Sequence, residues 1–334
     1  MSLNENIIEQ FKLLAKQIKL DIDYSSGKEQ MVHMFRLKSI MTVIKILTKY
    51  TDKITSSIQL KGISGIGKGT LERIDEILKT GKLSEVKLTS LDEQYIRYLD
   101  ELEDVFGIGR KKAYELFTIH GVKSVDELKT KYENGEIKLP DNIAKGLKYV
   151  GLIKENIPRE EIDEVNLYLM KTILSLDNKL FGLICGSYRR LQLTSNDVDI
   201  IIVHSDVITK NDAKSSPNYL NKLINRMKND KFIIDSLTSE DVPTKYMGIF
   251  KWKDNPHRRI DIRFIPYESY YSATLYFTGG KDFNRKMRQV AVNNGYVLNE
   301  YGLFDEKDNM ILVSSEKDIF DELGMEYVTP DKRI

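Results

Sequence analysis

The 334-residue chain reads as a multidomain α+β protein, all-helical in its N-terminal part and mixed α/β in the remainder. Three observations carry that reading. Up to about residue 155 the apolar residues recur at three-to-four spacing, the period of a helix with one buried face. From Ile157-Pro158 onward short β-branched runs alternate with helical stretches. Two similar turns, Gly62-Ile63-Ser64-Gly65-Ile66-Gly67 and Val105-Phe106-Gly107-Ile108-Gly109, each open a helix.

Taken in order, the spacing predicts helices over 7–18, 30–50 and 70–79, with Gly81 stopping the third after Thr80. Helices follow over 91–102, 110–120 and 125–132. Between the two groups, Leu88-Thr89-Ser90 reads as a turn. A helix over 159–176 then leads into strands near 181–185, 198–203, 232–237, 246–252 and 259–265. The repeated apolar-x-Gly-Ile-Gly turn is the mark of a helix-hairpin-helix. Its glycines let the backbone turn tightly and aim free N–H groups of the next helix at a phosphate. Two copies point to sequence-independent binding of a nucleic-acid backbone.

Composition sets the outer limits. Lys+Arg total 51 and Asp+Glu 50, so whole-chain charge does not announce a polyanion partner. The distribution is uneven: residues 1–90 carry a net +5 and residues 300–334 a net −6, which suits a cationic head gripping phosphates. A single cysteine, Cys185, excludes an intramolecular disulfide and suits a reducing compartment. It lies in the apolar run before Gly186 and reads as a small core residue. The four histidines show no metal-ligand spacing. No apolar run reaches membrane-spanning length and no signal-peptide pattern is visible, so a soluble, intracellular protein is expected.

The chemistry concentrates in Gly186-Ser187-Tyr188-Arg189-Arg190, followed by Asp197-Val198-Asp199 and then Arg259-Ile260-Asp261-Ile262-Arg263. On a strand, carboxylates at i and i+2 face the same way. The alternation around Asp261 predicts a neighbouring strand that brings a third carboxylate beside the pair. Three carboxylates in one cleft repel unless cations lie between them, and two Mg²⁺ ions about 4 Å apart are the usual solution for phosphoryl transfer.

At these residues the sequence resembles the family X DNA polymerases of the polymerase beta type. The likeness extends through Tyr276-Phe277-Thr278-Gly279, Asn284, Arg288, Asn299-Glu300-Tyr301 and Ser315-Glu316-Lys317-Asp318-Ile319-Phe320. It implies helix-hairpin-helix domains over 1–90 (5′-phosphate-binding, lyase-like) and 91–155 (DNA-binding). A nucleotidyltransferase palm with a mixed sheet over 156–264 and a small α+β nucleotide-binding subdomain over 265–334 would follow. By the same resemblance Asp197 and Asp199 hold both metals and Asp261 the catalytic one, with Mg²⁺ replaceable by Mn²⁺. Ser187 and Arg190 grip the triphosphate, together with Asn196 and Gly279. Tyr276 and Phe277 pack under the sugar and exclude a 2′-hydroxyl, while Asn284 and Arg288 read minor-groove acceptors present in every correct pair. Arg259 pairs with the carboxylates and lies toward the DNA. Backbone carbonyls of Lys61, Ile63 and Ile66, and of Glu103, Val105 and Ile108, hold Na⁺ or K⁺ at the two turns. Gly65, Gly67, Gly107 and Gly109 bring those turns against DNA.

The sequence also departs from the family. Leu191 and Asn196 stand where glycines are usual, Asn196 being expected to keep a left-handed backbone. Asn156 replaces an arginine near the triphosphate, and Lys281 stands beside the incoming base. In the first helical domain the lyase lysine belongs within Glu72-Arg73-Ile74-Asp75, where arginine replaces it. A guanidinium stays protonated and forms no imine. Arg36, Lys61, Lys68 and Arg73 are expected to form a 5′-phosphate pocket, and Lys68 or Lys38 remains as a substitute amine.

The resemblance implies a gap-filling, template-directed repair polymerase without proofreading. It would act as a monomer on gapped or nicked duplex DNA with dNTPs and a DNA ligase as partner. Its place would be nuclear, or cytoplasmic or in the virion if viral. An end-joining polymerase of the mu type is the first alternative, favoured by Arg73. Tyr276-Phe277 and the lack of a BRCT-like segment in these 334 residues stand against it. An inactive DNA-binding scaffold is the second, opposed by the intact carboxylate triad.

Overall fold

The computed structural model describes residues 3–153, 156–239, 241 and 243–333. The chain divides into two compact units, Met1–Leu147 and Lys148–Ile334.

Among its described residues the first unit has helices and no strand: α1 Glu5–Tyr24, α2 Gly27–Lys49, α3 Lys68–Thr80, α4 Ser90–Glu103, α5 Arg110–His120 and α6 Val125–Glu133, while α7 Asp141–Tyr149 runs two residues past its limit. The apolar faces that the spacing marks are the ones buried. Phe11, Leu14 and Ile18 of α1 pack with Ile40, Val43 and Leu47 of α2 and with Ile74 and Ile77 of α3 in one core. Each such side chain contributes about 1.5–3 kcal/mol by leaving water. Gly81 ends α3 in the left-handed conformation at φ +78°, as the sequence predicts. Thr89 starts α4 through a reciprocal capping box with Asp92. The expected boundary near residue 90 is bridged by ion pairs. Lys19 meets Asp100 at 3.2 Å, and Arg110 meets Asp23 at 2.8 Å.

The two hairpin turns are built alike. Ile66 N donates to Ile63 O and Ile108 N to Val105 O, both at 3.0 Å. Gly67 and Gly109 cap α3 and α5 with nearly equal backbone angles, φ −94° and −97° with ψ 174° in each. Gly65 and Gly107 lie at φ +94° and +88°. A Cβ on Gly65 would press on α2, 2.9 Å from Ile46 Cδ1, and one on Gly107 would press on α7, 2.8 Å from Asn142 Nδ2. The repeat seen in the sequence is therefore a repeat of backbone geometry.

The second unit contains β1 Ile157–Pro158, α8 Arg159–Leu176, β2 Leu180–Ile184, α9 Gly186–Arg189, β3 Thr194–Ser195 and β4 Val198–His204. After these come α10 Lys210–Ser215, α11 Tyr219–Asn229, β5 Ile233–Ser236, β6 Lys245–Phe250 and β7 Arg258–Phe264. The main sheet runs β2-β4-β7-β6-β5, and only the β4–β7 pair is parallel. Helices α8 and α11 cover one face of it, with Ile162, Leu169, Leu220 and Ile224 buried against Ile200, Ile202, Ile260 and Ile262. Arg258 is buried there too and forms a two-pronged bond to Glu161, at 2.8 and 3.1 Å. The remainder comprises α12 Tyr270–Thr278, α13 Lys281–Asn293, a three-stranded antiparallel sheet of β8 Val297–Asn299, β9 Gly302–Phe304 and β10 Met310–Ile311, and α14 Glu316–Glu322. Its core is separate, formed by Leu275, Met287, Ala291, Leu303, Ile319 and Phe320.

The predicted strands fall within one or two residues of the observed ones, and α5 and α8 match their predicted limits. The periodicity assigned no helix to α7, α9–α12 or α14 and no strand to β1, β3 or β8–β10. All of these but α11 are nine residues or shorter, and such an element offers too few repeats for its period to stand out. No described helix is long and apolar enough to cross a membrane.

Candidate active site

The parallel pairing of β4 with β7 sets the carboxylate geometry. Asp199 and Asp261 are direct partners in the register, and Asp197 precedes Asp199 by two residues, on the same face. One oxygen from each of the three lies within 4.8 Å of the other two. Cys185 N donates to Asp199 O at 2.8 Å and so ties the end of β2 to this point. Immediately afterwards the chain turns into α9 through Gly186 at φ +57°, where any Cβ would overlap Asp199 Oδ2. The glycine before Ser187 is thus required twice, by its backbone angle and by the carboxylate against it.

Burial leaves these acids poorly solvated. Desolvation, then the nearby charges of Asp197 and Asp261, pushes the Asp199 carboxyl up to about 7, against the partial relief of Arg259 and Arg190. Desolvation also raises Asp261, to about 6, opposed chiefly by Arg259. The Arg259 guanidinium is bonded to Asp197 and lies 3.5 Å from Asp261. Asp261 Oδ1 is buried and finds no hydrogen-bond partner among the described residues. Three hard oxygen donors, one of them orphaned and two held above the ordinary carboxylate range, fit a divalent cation site.

Asp197 and Asp199 line a cleft of about 650 Å³, a volume suited to a nucleotide, with Asp261 beside them. Ser187, Arg190, Asn196, Tyr276, Phe277, Gly279 and Asn284 all line it, so the sequence-predicted nucleotide residues converge. Arg190 Nη1 donates to Thr278 O, and Asn284 Nδ2 donates to Tyr276 O at 2.6 Å. Arg288 lies over the Tyr276 ring at 5.5 Å. Lys281 lines the same cleft.

One assembly was not legible in the sequence. Arg189 bonds Thr278 Oγ1 at 2.7 Å and grips Glu316 at 2.6 and 3.1 Å, and Glu316 also binds the fully buried Arg333 at 2.7 Å. This chain of charges fixes the turn after α12 beside α9. The signal was present as Arg189 and Glu316, but pairing across 127 residues leaves no local trace. A second difference concerns backbone strain. Asn196 is not among the left-handed residues of the described chain; Leu191 (φ +59°) and Asn156 (φ +61°) are. Leucine therefore keeps the left-handed turn after Arg190, at a cost of about 1 kcal/mol.

Family models match the chain in three blocks, namely DNA polymerase beta palm over 156–267, DNA polymerase beta thumb over 273–334 and helix-hairpin-helix domain over 2–83. The chain belongs to the family X DNA polymerases. It is 30% identical to DNA polymerase lambda of Arabidopsis thaliana over 355 residues, covering 99% of this chain and 62% of that protein. Against DNA polymerase lambda of Rattus norvegicus it is 27% identical, covering 99% and 56%. Against DNA nucleotidylexotransferase of Xenopus laevis it is 25% identical, covering 99% and 68%. The chain thus spans roughly three fifths of the lambda polymerases it matches. Within the family X frame the triad belongs to the palm block, while Tyr276, Asn284 and Arg288 belong to the thumb block.

In the first unit the residues expected around the 5′-phosphate divide into two groups. Arg36 and Arg73 converge on one carboxylate, Glu85. Lys68 is almost fully exposed, 3.8 Å from Glu72, and Lys61 is exposed as well. The four cations are legible in the sequence, whereas Glu85, which the two arginines share, is not.

Proposed function

We propose that this chain is a template-directed DNA polymerase that fills short gaps in repair, adding deoxynucleotides to a primer 3′-hydroxyl. The observation that carries the reading is the triad Asp197, Asp199 and Asp261, two of whose members, Asp197 and Asp199, line a nucleotide-sized cleft together with Ser187, Arg190, Tyr276 and Phe277. Asp197 and Asp199 would hold two Mg²⁺ ions between them, and Asp261 would complete the site nearer the primer. Bound there, the ions supply charge neutralisation on the attacking and leaving oxygens.

The chain's own groups do the rest. Asp261 Oδ1, buried and unpartnered, is the acceptor available to the 3′-hydroxyl proton. Ser187 and Arg190 bind the β and γ phosphates, and Arg190 is held in place by Thr278 O. Arg259 keeps Asp197 and Asp261 apart from unproductive pairings. Tyr276 and Phe277 close the sugar side of the cleft, their rings edge to face at 5.1 Å. In the helical unit, Na⁺ or K⁺ on the carbonyls of Lys61, Ile63 and Ile66, and of Glu103, Val105 and Ile108, would bridge the hairpins to DNA phosphates. Divisions near residues 90, 155 and 264 mark the working parts. Arg36 and Arg73, with Lys61 and Lys68, take a 5′-phosphate, and Arg73 leaves the lyase step without its nucleophile.

Extension across a one-nucleotide gap, with and without a 5′-phosphate, tests the reading. Wild-type protein should extend the phosphorylated gap faster, and Asp261→Ala should lose addition while still binding the gap. Retention of more than a few per cent of the rate by Asp261→Ala would remove Asp261 from the site.

A further inference from the structure

Glu85 occupies the place where an incoming phosphate would be read. Arg73 meets its carboxylate through both Nε and Nη2, and Arg36 Nη2 meets Oε2 at 2.8 Å. A guanidinium fork bonds carboxylates and phosphates with the same geometry, so the two anions compete for the same donors. We propose that Glu85 is a specificity-determining residue, a resident carboxylate that a DNA 5′-phosphate must displace from Arg36 and Arg73. The inference rests on the 5′-phosphate reading given under Proposed function.

Three features of the site support exchange. The side chains of Arg36, Arg73 and Glu85 are 35%, 27% and 30% exposed, so a solution anion can reach all three. The backbone at Glu85 is clamped independently of its carboxylate. Gln17 Nε2 donates to Glu85 O at 3.1 Å, Lys87 N donates to Gln17 Oε1 at 2.6 Å, and Leu83 N to Gln10 Oε1 at 3.1 Å. The carboxylate can therefore swing into solvent without moving the chain. Arg73 has a further anchor, Nη1 on Gly69 O at 3.1 Å, which holds the guanidinium in place when Glu85 leaves. A phosphate monoester bearing close to two negative charges then outcompetes a carboxylate bearing one, while a 5′-hydroxyl end cannot. Glu85 thereby raises the threshold for every anion at this pocket and reduces the advantage that a 5′-phosphate end gains over a 5′-hydroxyl end.

The test measures affinity for one-nucleotide gaps with 5′-phosphate and 5′-hydroxyl ends by fluorescence anisotropy, using the full chain. Two part-exposed ion pairs together restrain the arginines modestly, so Glu85→Gln should tighten the phosphorylated gap about fivefold and leave the hydroxyl gap nearly unchanged. Glu85→Asp, whose shorter arm cannot reach both arginines, should fall between, and melting curves confirm that each variant folds. An unchanged or lower phosphate preference in Glu85→Gln, with Arg36→Gln and Arg73→Gln still abolishing it, makes Glu85 a mere scaffold and overturns the inference alone. If the arginine variants leave the preference untouched, the phosphate reading fails and the inference with it.

Discussion

Gly186→Ala isolates the contact on which the triad depends. The substitution adds one methyl group at φ +57°, directly against Asp199 Oδ2. The left-handed backbone costs an alanine roughly 1–2 kcal/mol, which for a unit of this size lowers the melting temperature by roughly 2–8 °C. The larger effect is on geometry. The overlap obliges the carboxylate to move by about 1 Å, and a misplacement of that size near reacting atoms costs on the order of 100-fold in rate. Single-turnover insertion into a gapped duplex measures the rate, and calorimetry measures the fold. Gly182→Ala is the control: its methyl would sit 2.7 Å from the end of the Ile173 side chain, away from the carboxylates. It should lose stability and keep its rate. If Gly186→Ala retains the rate within about threefold, or Gly182→Ala falls equally far, the account of Gly186 as the spacer for Asp199 is refuted.

Other expectations follow from the same geometry. Because Asp199 and Asp261 titrate near 7 and 6, above the usual carboxylate value, the metal-free fold favours their protonated forms. That contribution to stability is complete below about pH 4 and is lost as pH rises through 6 to 7. Mg²⁺ needs the deprotonated oxygens, so its stabilising effect on melting should grow between pH 5.5 and 8, and a flat increment would contradict the site. Replacing Tyr276 or Phe277 with alanine should raise ribonucleotide insertion relative to deoxyribonucleotide insertion, since both line the cleft; equal selectivity in matched single-turnover assays would reassign them. Borohydride trapping on an incised abasic substrate should yield little adduct, because Arg73 holds Glu85 and cannot form an imine. A strong adduct would show that Lys68 or Lys38 serves instead.

Local sequence was sufficient for the helices and strands whose period repeats several times, for the paired hairpin turns and for the Asp197–Asp199 pair. In each case the information lies within a few residues: an i, i+2 pair on a strand, a glycine before a helix, a buried stripe at three-to-four spacing. The resemblance to the family X polymerases then linked these pieces. Tertiary structure decided what depends on distant partners. Asp199 opposite Asp261 is a fact of register, fixed when β7 pairs in parallel with β4. The raised carboxyls come from burial, which no spacing reports. Arg189, Glu316 and Arg333 meet only after the chain has closed. Glu85 is the sharpest case: in sequence it is one acidic residue in a solvated turn, and only folding brings it to Arg36, 49 residues earlier, and Arg73. Charges act through space, and one chain position says nothing of which opposite charge it will meet.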